Sequence, residues 1–348
     1  MSSTYIPLSV IPSLCYCYFF SAKIPKGIPR LISLLPIFYL FTIFPLYFSS
    51  AFFIIITTFS ITWLAIFKLI LFAFDQGPLI INPKYLSLPV FITIAALPLR
   101  TSFTPNQNRK NLMNLAVECV IFAVIMEIIL HHKSKIHPKL VLINYCVMIF
   151  LMIDILVALF TFIVKHLLCL DIEIELPSNE PYFSTSLQDF WGRRWNLTVT
   201  NTLRITVYNP VRLVLLHVIG RNWAQHGASL ATFVVSGLMH ELIFYYVVDN
   251  GVRPSWEMTG FFVLHGLCVM VEIEAKKALK DTWRFPGLAS GSLAVGFVVV
   301  SAFGLFFPPI IRNGVDERIL DEVRFCFDFL KDKMLQFVML DNICNFGY

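Results

Sequence analysis

Long apolar runs separated by short polar segments set the pattern of this chain. Eight runs approach or exceed the length needed to cross a bilayer: residues 6–20, 31–48, 51–73, 112–130, 140–164, 227–248, 258–273 and 290–311. A hydrocarbon core of about 30 Å needs roughly 20 apolar residues in a helix. Helices also satisfy their own backbone polar groups where no water reaches. The pattern predicts an all-α polytopic membrane protein with about eight or nine transmembrane helices. Residues 6–20 lack a basic flank and a small-residue cleavage site, so they read as a retained first span rather than a removed signal.

Three further stretches depart from the simple pattern. Residues 86–99 are short and hold Pro89 and Pro98, which suits a re-entrant or broken segment. Residues 203–219 carry Arg204, Arg212 and the pair Asn209-Pro210, which suits the membrane interface and leaves a crossing open. Residues 316–339 place Ile319, Leu320, Val323, Phe327, Leu330, Met334 and Phe337 at helical spacing with Asp and Lys between them. That spacing predicts an amphipathic helix packed at the interface. Neither an internal repeat nor a linker divides the chain, so residues 1–348 read as one membrane-embedded domain.

Composition agrees with this reading: 57% of residues are hydrophobic and only 14% charged, against about 25% charged in soluble domains. The formal charge of +5 is spread over many loops, which argues against a nucleic-acid-binding surface. Lys and Arg gather in residues 21–30, 74–111, 165–226 and 274–289, and are sparser in 131–139, 249–257 and the tail. The positive-inside rule makes the richer face cytosolic. Eight cysteines occur without a Cys-x-x-Cys pair, mostly within apolar runs. They read as small hydrophobes rather than metal ligands or disulfide partners.

Two stretches hold residues capable of chemistry. The first runs from Gln188 to Asn196 and includes Trp191, Arg193, Arg194 and Trp195. A membrane-interface belt would explain tryptophans and arginines. It leaves unexplained the polar run that follows, Thr198, Thr200, Asn201 and Thr202, whose side chains need partners such as a polar pocket provides. The second is Ser236-Gly237-Leu238-Met239-His240-Glu241, inside the run 227–248. A single histidine in an apolar helix is commonly a satisfied core residue. Here Ser236 lies one turn before it, Gly237 permits close approach of a neighbour, and Glu241 adds a second ionisable group at the same depth. Intramembrane ionisable groups are candidate functional sites by default, and an uncharged imidazole can accept a proton. His265, in the next span, is a candidate to line the same site, second to His240. A zinc-protease motif is excluded because Phe244 stands where its second histidine would fall. No Gly-x-Ser-x-Gly elbow is present.

At these residues the sequence resembles the membrane-bound O-acyltransferase superfamily, and within it the plant wax synthase-like branch. The resemblance rests on SLQDFWGRRWN (186–196), TLRITVYNPV (202–211), SGLMHELIFYY around His240, and FFPPIIRNGVDE (306–317). It implies transfer of a fatty acyl group from acyl-CoA to a lipid alcohol in the endoplasmic reticulum membrane. By the same resemblance His240 matches the catalytic histidine and Asn196 the asparagine that ends the aromatic motif.

The residues fit that chemistry. His240 would act as general base on the alcohol, and Asn196 would steady the carbonyl oxygen or orient a reactant. Arg193 and Arg194, between Trp191 and Trp195, would meet the phosphates of CoA. Glu241 and Ser236 would help position the acceptor or the histidine. Neither a metal nor another cofactor is expected, acyl-CoA being a co-substrate. A long-chain fatty alcohol is the leading acceptor, with a sterol or diacylglycerol as the rival. The alternative from another class is a transporter or receptor, which would be expected to show repeated halves.

Overall fold

In a computed structural model of the chain, residues 9–80, 86–102, 112–170, 173–248, 253–279 and 287–345 are described. The first group of helices is α1 (Val10–Phe19), α2 (Ile28–Ile43), α3 (Ala51–Thr57), α4 (Ile66–Ala73) and α5 (Leu88–Ala96). Then come α6 (Leu112–His132), α7 (Pro138–Phe162), α8 (Leu187–Asp189), α9 (Leu197–Leu203) and α10 (Asn209–Ile219). The last are α11 (Arg221–Val247), α12 (Glu257–Ala278), α13 (Gly287–Ser301), α14 (Phe307–Arg312) and α15 (Val315–Asn345). A two-stranded antiparallel ribbon pairs β1 (Arg100–Ser102) with β2 (Glu173–Glu175).

Seven helical stretches among the described residues are long and apolar enough to cross a membrane. They are Ile28–Tyr47, Ala51–Ala73, Met113–Lys135, Pro138–His166, Trp223–Val247, Glu257–Ala278 and Ala289–Arg312, and each coincides with an expected span. The run 6–20 differs. Its described part is α1, ten residues long and so about 15 Å, which covers half of a hydrocarbon core; residues 6–8 lie outside the described residues. α1 packs beside α5, the short helix of the 86–99 stretch. Lys68, fully buried, donates to the carbonyls of Ile94 (2.7 Å) and Leu97 (2.8 Å) at the end of α5. A buried ammonium at a helix C-terminus satisfies carbonyls that water would otherwise hydrate. That capping lets the broken segment stay inside.

Residues 203–219, expected at the interface, are not among the candidate spans. α9 continues through a widened π turn, Arg204–Tyr208, into α10, and Gly220 (φ 77°) then reverses the chain so that α10 packs against α11. The widened turn lies just before Pro210, whose missing N–H disturbs an ordinary ladder. The stretch before it dips inward as well. Trp195 stacks on Phe190 and meets Phe150 of α7, while Trp191 meets Phe261 and Phe262 of α12. The motif and α9–α10 thus pack against α7, α11 and α12. The seven candidate spans among the described residues are close to the eight or nine expected.

Polar contacts gather the helix ends into two faces. On one, Arg30 binds Asp75 (2.6 Å) and the Phe72 carbonyl, and Arg100 pairs with Glu175. On the other, Glu322 of α15 accepts from Ser50 (2.7 Å) and from backbone N–H groups at the start of α3. Arg318 donates to the Val247 carbonyl (2.9 Å), Lys133 pairs with Asp316, and Arg312 pairs with Glu257. The first half of α15 therefore straps one end of the bundle. Ile319, Leu320 and Val323 face inward, whereas Phe327 is exposed. Leu330, Met334 and Phe337 lie outside the residues whose side chains are described.

Candidate active site

α11 and α12 pack closely because small residues line their contact. A Cβ at Gly237 would stand 2.8 Å from Thr259 Cα, and one at Gly266 would stand 3.0 Å from Phe233 Cβ. Small residues let helices approach where lipid offers no hydrophobic drive. His240 sits seven positions before the end of α11, about 10 Å along the axis. Its Nδ1 lies 2.7 Å from the Ser236 carbonyl oxygen. A carbonyl only accepts, so Nδ1 carries the proton of the neutral ring and Nε2 keeps its lone pair. The Ser236 backbone, rather than its hydroxyl, orients the imidazole.

Aromatic rings from three other places wall the imidazole. Phe262 of α12 lies 4.4 Å away between ring centroids, Trp63 5.6 Å, and Phe306 6.0 Å. Trp63 belongs to the widened stretch Thr58–Ala65 that joins α3 to α4, and Phe306 to the widened turn Ala302–Phe306 between α13 and α14. π segments re-aim side chains and recur at functional sites. The part-buried histidine thus has protein rings on three sides.

The other sequence candidates divide by what they touch. Asn196 takes a left-handed conformation (φ 38°, ψ 65°), and its Oδ1 accepts from the Val199 N–H at 3.3 Å as the N-cap of α9. Val199 shares an apolar cluster with Trp63 and Met239, next to the histidine. Among the described residues no hydrogen bond joins Asn196 to His240, but the Asn196 Nδ2 remains available to donate. Glu241 is buried; its Oε1 accepts from the Trp256 N–H (3.0 Å) where α12 begins, and its Oε2 has no partner among the described residues.

Arg194 is committed to structure. Its Nε donates to Asp189 Oδ2 at 2.8 Å, and Nη1 reaches the carbonyls of Asn179 and Glu180. Burial pushes the Asp189 carboxyl up, but hydrogen bonds from Arg194 and the Thr185 N–H outweigh it and hold the group below its usual value. Arg193 is exposed and lines an open cleft with Lys276, Thr185, Ser186, Gln188 and Asp189. Of the two arginines, only Arg193 is placed to meet a soluble anion.

Trp191 and His265 pair with each other. The indole N–H of Trp191 donates to His265 Nδ1 at 3.1 Å, so His265 Nε2 carries the proton and donates to Ser301 Oγ at 2.9 Å. The Ser301 hydroxyl passes the bond to the Phe297 carbonyl (2.6 Å). His265 is wholly buried with both nitrogens engaged, so it is a tie between segments rather than a lining group.

Sequence reasoning passed over Trp63, Phe262, Phe306 and Lys276. For Trp63 a signal existed: tryptophan favours the headgroup belts, and this one stands in the middle of an apolar run. Phe306 opens the segment 306–317 on which the resemblance partly rests, whereas Phe262 carried no signal, because phenylalanine is common throughout the spans.

Residues 176–264, which contain the motif and His240, match the profile of the Membrane bound O-acyl transferase family. The chain is 42% identical over 320 residues to acyl-CoA–sterol O-acyltransferase 1 of Arabidopsis thaliana, covering 90% of this chain and 91% of the relative. It is 42% identical over 340 residues to the long-chain-alcohol O-fatty-acyltransferase of Simmondsia chinensis, covering 94% and 95%. With that likeness running nearly end to end, and with His240 inside the matched segment, the chain belongs to the membrane-bound O-acyl transferase family.

Proposed function

We propose that the protein moves a long-chain fatty acyl group from acyl-CoA to a fatty alcohol, forming a wax ester in the endoplasmic reticulum membrane. The supporting observation is the bond from His240 Nδ1 to the Ser236 carbonyl, which leaves Nε2 as a base inside an aromatic enclosure. Nε2 takes the alcohol proton as the alcohol oxygen attacks the thioester carbonyl. The tetrahedral intermediate then expels the CoA thiolate, breaking the C–S bond, and the imidazolium returns the proton to sulfur. An amide N–H of Asn196 suits the carbonyl oxygen as it gains charge. No step requires a metal. The apolar walls keep water from competing with the alcohol.

The domain 1–348 works as one unit with 186–248 as its catalytic region. Arg193 and Lys276 are the groups suited to the CoA phosphates, at a face that the distribution of basic residues makes cytosolic. The name of the Simmondsia chinensis relative supports the fatty-alcohol acceptor. A sterol acceptor is the second reading, favoured by the equally similar sterol acyltransferase. Family membership sets aside a transporter or receptor.

Membranes carrying the protein, given labelled acyl-CoA with fatty alcohols, sterols or diacylglycerol in turn, are expected to form wax ester fastest. His240→Ala is expected to lower the rate by at least about a hundredfold, the usual contribution of a general base. Undiminished ester formation by that variant would remove the mechanism, and sterol ester as main product would transfer the assignment to the second reading.

A further inference from the structure

The acyl transfer at His240 leaves the Trp191–His265–Ser301 chain without a task, although each of its members is hydrogen-bonded to the next. It joins three segments that are far apart in sequence: the re-entrant motif, α12 and α13. Its neighbours are the residues that wall His240. Phe261, one turn before His265, meets the His265 ring at 4.4 Å and Phe306 at 5.5 Å. Phe262 touches Trp191 on one side (5.8 Å) and the His240 ring on the other (4.4 Å). Two of the three rings around the base are therefore set by residues packed on the strut.

We propose that His265 is a positioning residue for the acyl transfer: by accepting the Trp191 indole hydrogen bond it fixes the rotation of α12 and hence the seating of Phe262 against His240. The bond to Trp191 is the operative half. Ser301 keeps its own carbonyl partners, at Phe297 (2.6 Å) and Val298 (3.1 Å), whether or not His265 is present. This role rests on the base assignment made for His240.

Four variants and two readouts test it: kcat and KM for ester formation, and the melting temperature of the purified protein in detergent. His265→Leu and Trp191→Phe each remove the bond, and each is expected to lower kcat about tenfold with KM for acyl-CoA little changed, the size of one coupled contact. The Trp191→Phe/His265→Leu double variant is expected to lose no more kcat than either single one, because the two residues act as a unit. It should melt higher than His265→Leu, since it no longer buries an orphaned indole N–H. His265→Asn, whose side-chain oxygen stands where Nδ1 stood, is expected to recover most of the turnover. Multiplying losses in the double variant, or wild-type kcat in folded His265→Leu and Trp191→Phe, would overturn the proposal. So would equal turnover by His265→Asn and His265→Leu. Absence of ester from the wild-type protein with every acceptor would instead strike the catalytic reading itself.

Discussion

Asn196 stands at φ 38° and ψ 65°, a conformation that asparagine and glycine adopt at little cost and other residues do not. Its carbonyl oxygen caps α9, so only its N–H₂ is left for a reactant. These two duties can be separated. Asn196→Gly keeps the backbone and weakens the cap by a few tenths of a kcal/mol, whereas Asn196→Ala costs about 1 kcal/mol or more through cap and strain. If the amide steadies the developing oxyanion, both variants lose turnover by about 10² to 10³. Stopped ester-formation assays paired with thermal melts check this, and near-normal kcat in Asn196→Gly would leave the residue only its capping duty. The candidate status of both Asn196 and His240 was legible in the sequence, because polar groups set in or beside apolar runs are costly without a purpose. What His240 bonds to was half legible. Ser236 is one helical turn earlier, as the spacing says, but its carbonyl does the work and any residue supplies a carbonyl. Arg194 misled for a related reason: its guanidinium is needed at home, by Asp189 and two loop carbonyls, and partners so placed are fixed by the fold.

Helices meet at the site through their small residues, and the contact between α11 and α12 shows how little room remains. A methyl group on Gly237 would fall 2.8 Å from Thr259 Cα and 3.2 Å from its carbonyl oxygen, both backbone atoms that cannot rotate away. Gly237→Ala must therefore move one helix off the other, three residues from His240. We expect a stability loss of about 1–3 kcal/mol, as for overpacked cores, with a fall in kcat of tenfold or more, since displacements of about 1 Å suffice for that. Gly260→Ala is the matched control on α12. Nothing lies within 4 Å of its added methyl, and the helix gains about 1 kcal/mol in propensity. Equal behaviour of the two variants would show that the close approach at Gly237 is unimportant. The long α-helical spans were readable from hydrophobic run length, but the widened turns were not. Thr58–Ala65 and Ala302–Phe306 lie inside long spans rich in apolar residues, where no period distinguishes 3.6 residues per turn from a wider one. Pro210 and Arg204 suggested an interfacial stretch at 203–219. In the fold a wider turn takes up the proline, Arg204 is exposed, and α10 lays one side on α11 while Leu213, Val214 and Val218 stay exposed on the other.

Across the whole molecule, alternation of the seven spans assigns each connection to a face, and the side-chain ties make the same assignment independently. Arg30 with Asp75, and β1 with β2, join the connections rich in Lys and Arg. Glu322, Arg318, Lys133 and Arg312 join the poorer ones through α15. The grouping of the connections into two faces was accessible from the succession of apolar runs, whereas the strap by α15 was not, because an amphipathic pattern says that a helix lies on a surface without saying what it ties together. The described part of α1, Val10–Phe19, lies within the first apolar run and packs beside short α5. The two-face arrangement makes a definite prediction when the basic face is cytosolic. A glycosylation acceptor sequence inserted in the 131–139 connection should be modified in the lumen and retard the protein on a gel, while the same sequence at 76–80 should remain unmodified. Modification at 76–80 instead would invert the orientation and carry the Arg193–Lys276 cleft away from cytosolic acyl-CoA. His240 would keep its geometry in that event, but the donor would then have to arrive from the lumen. The insertion experiment therefore tests the route of the thioester independently of the chemistry at the imidazole.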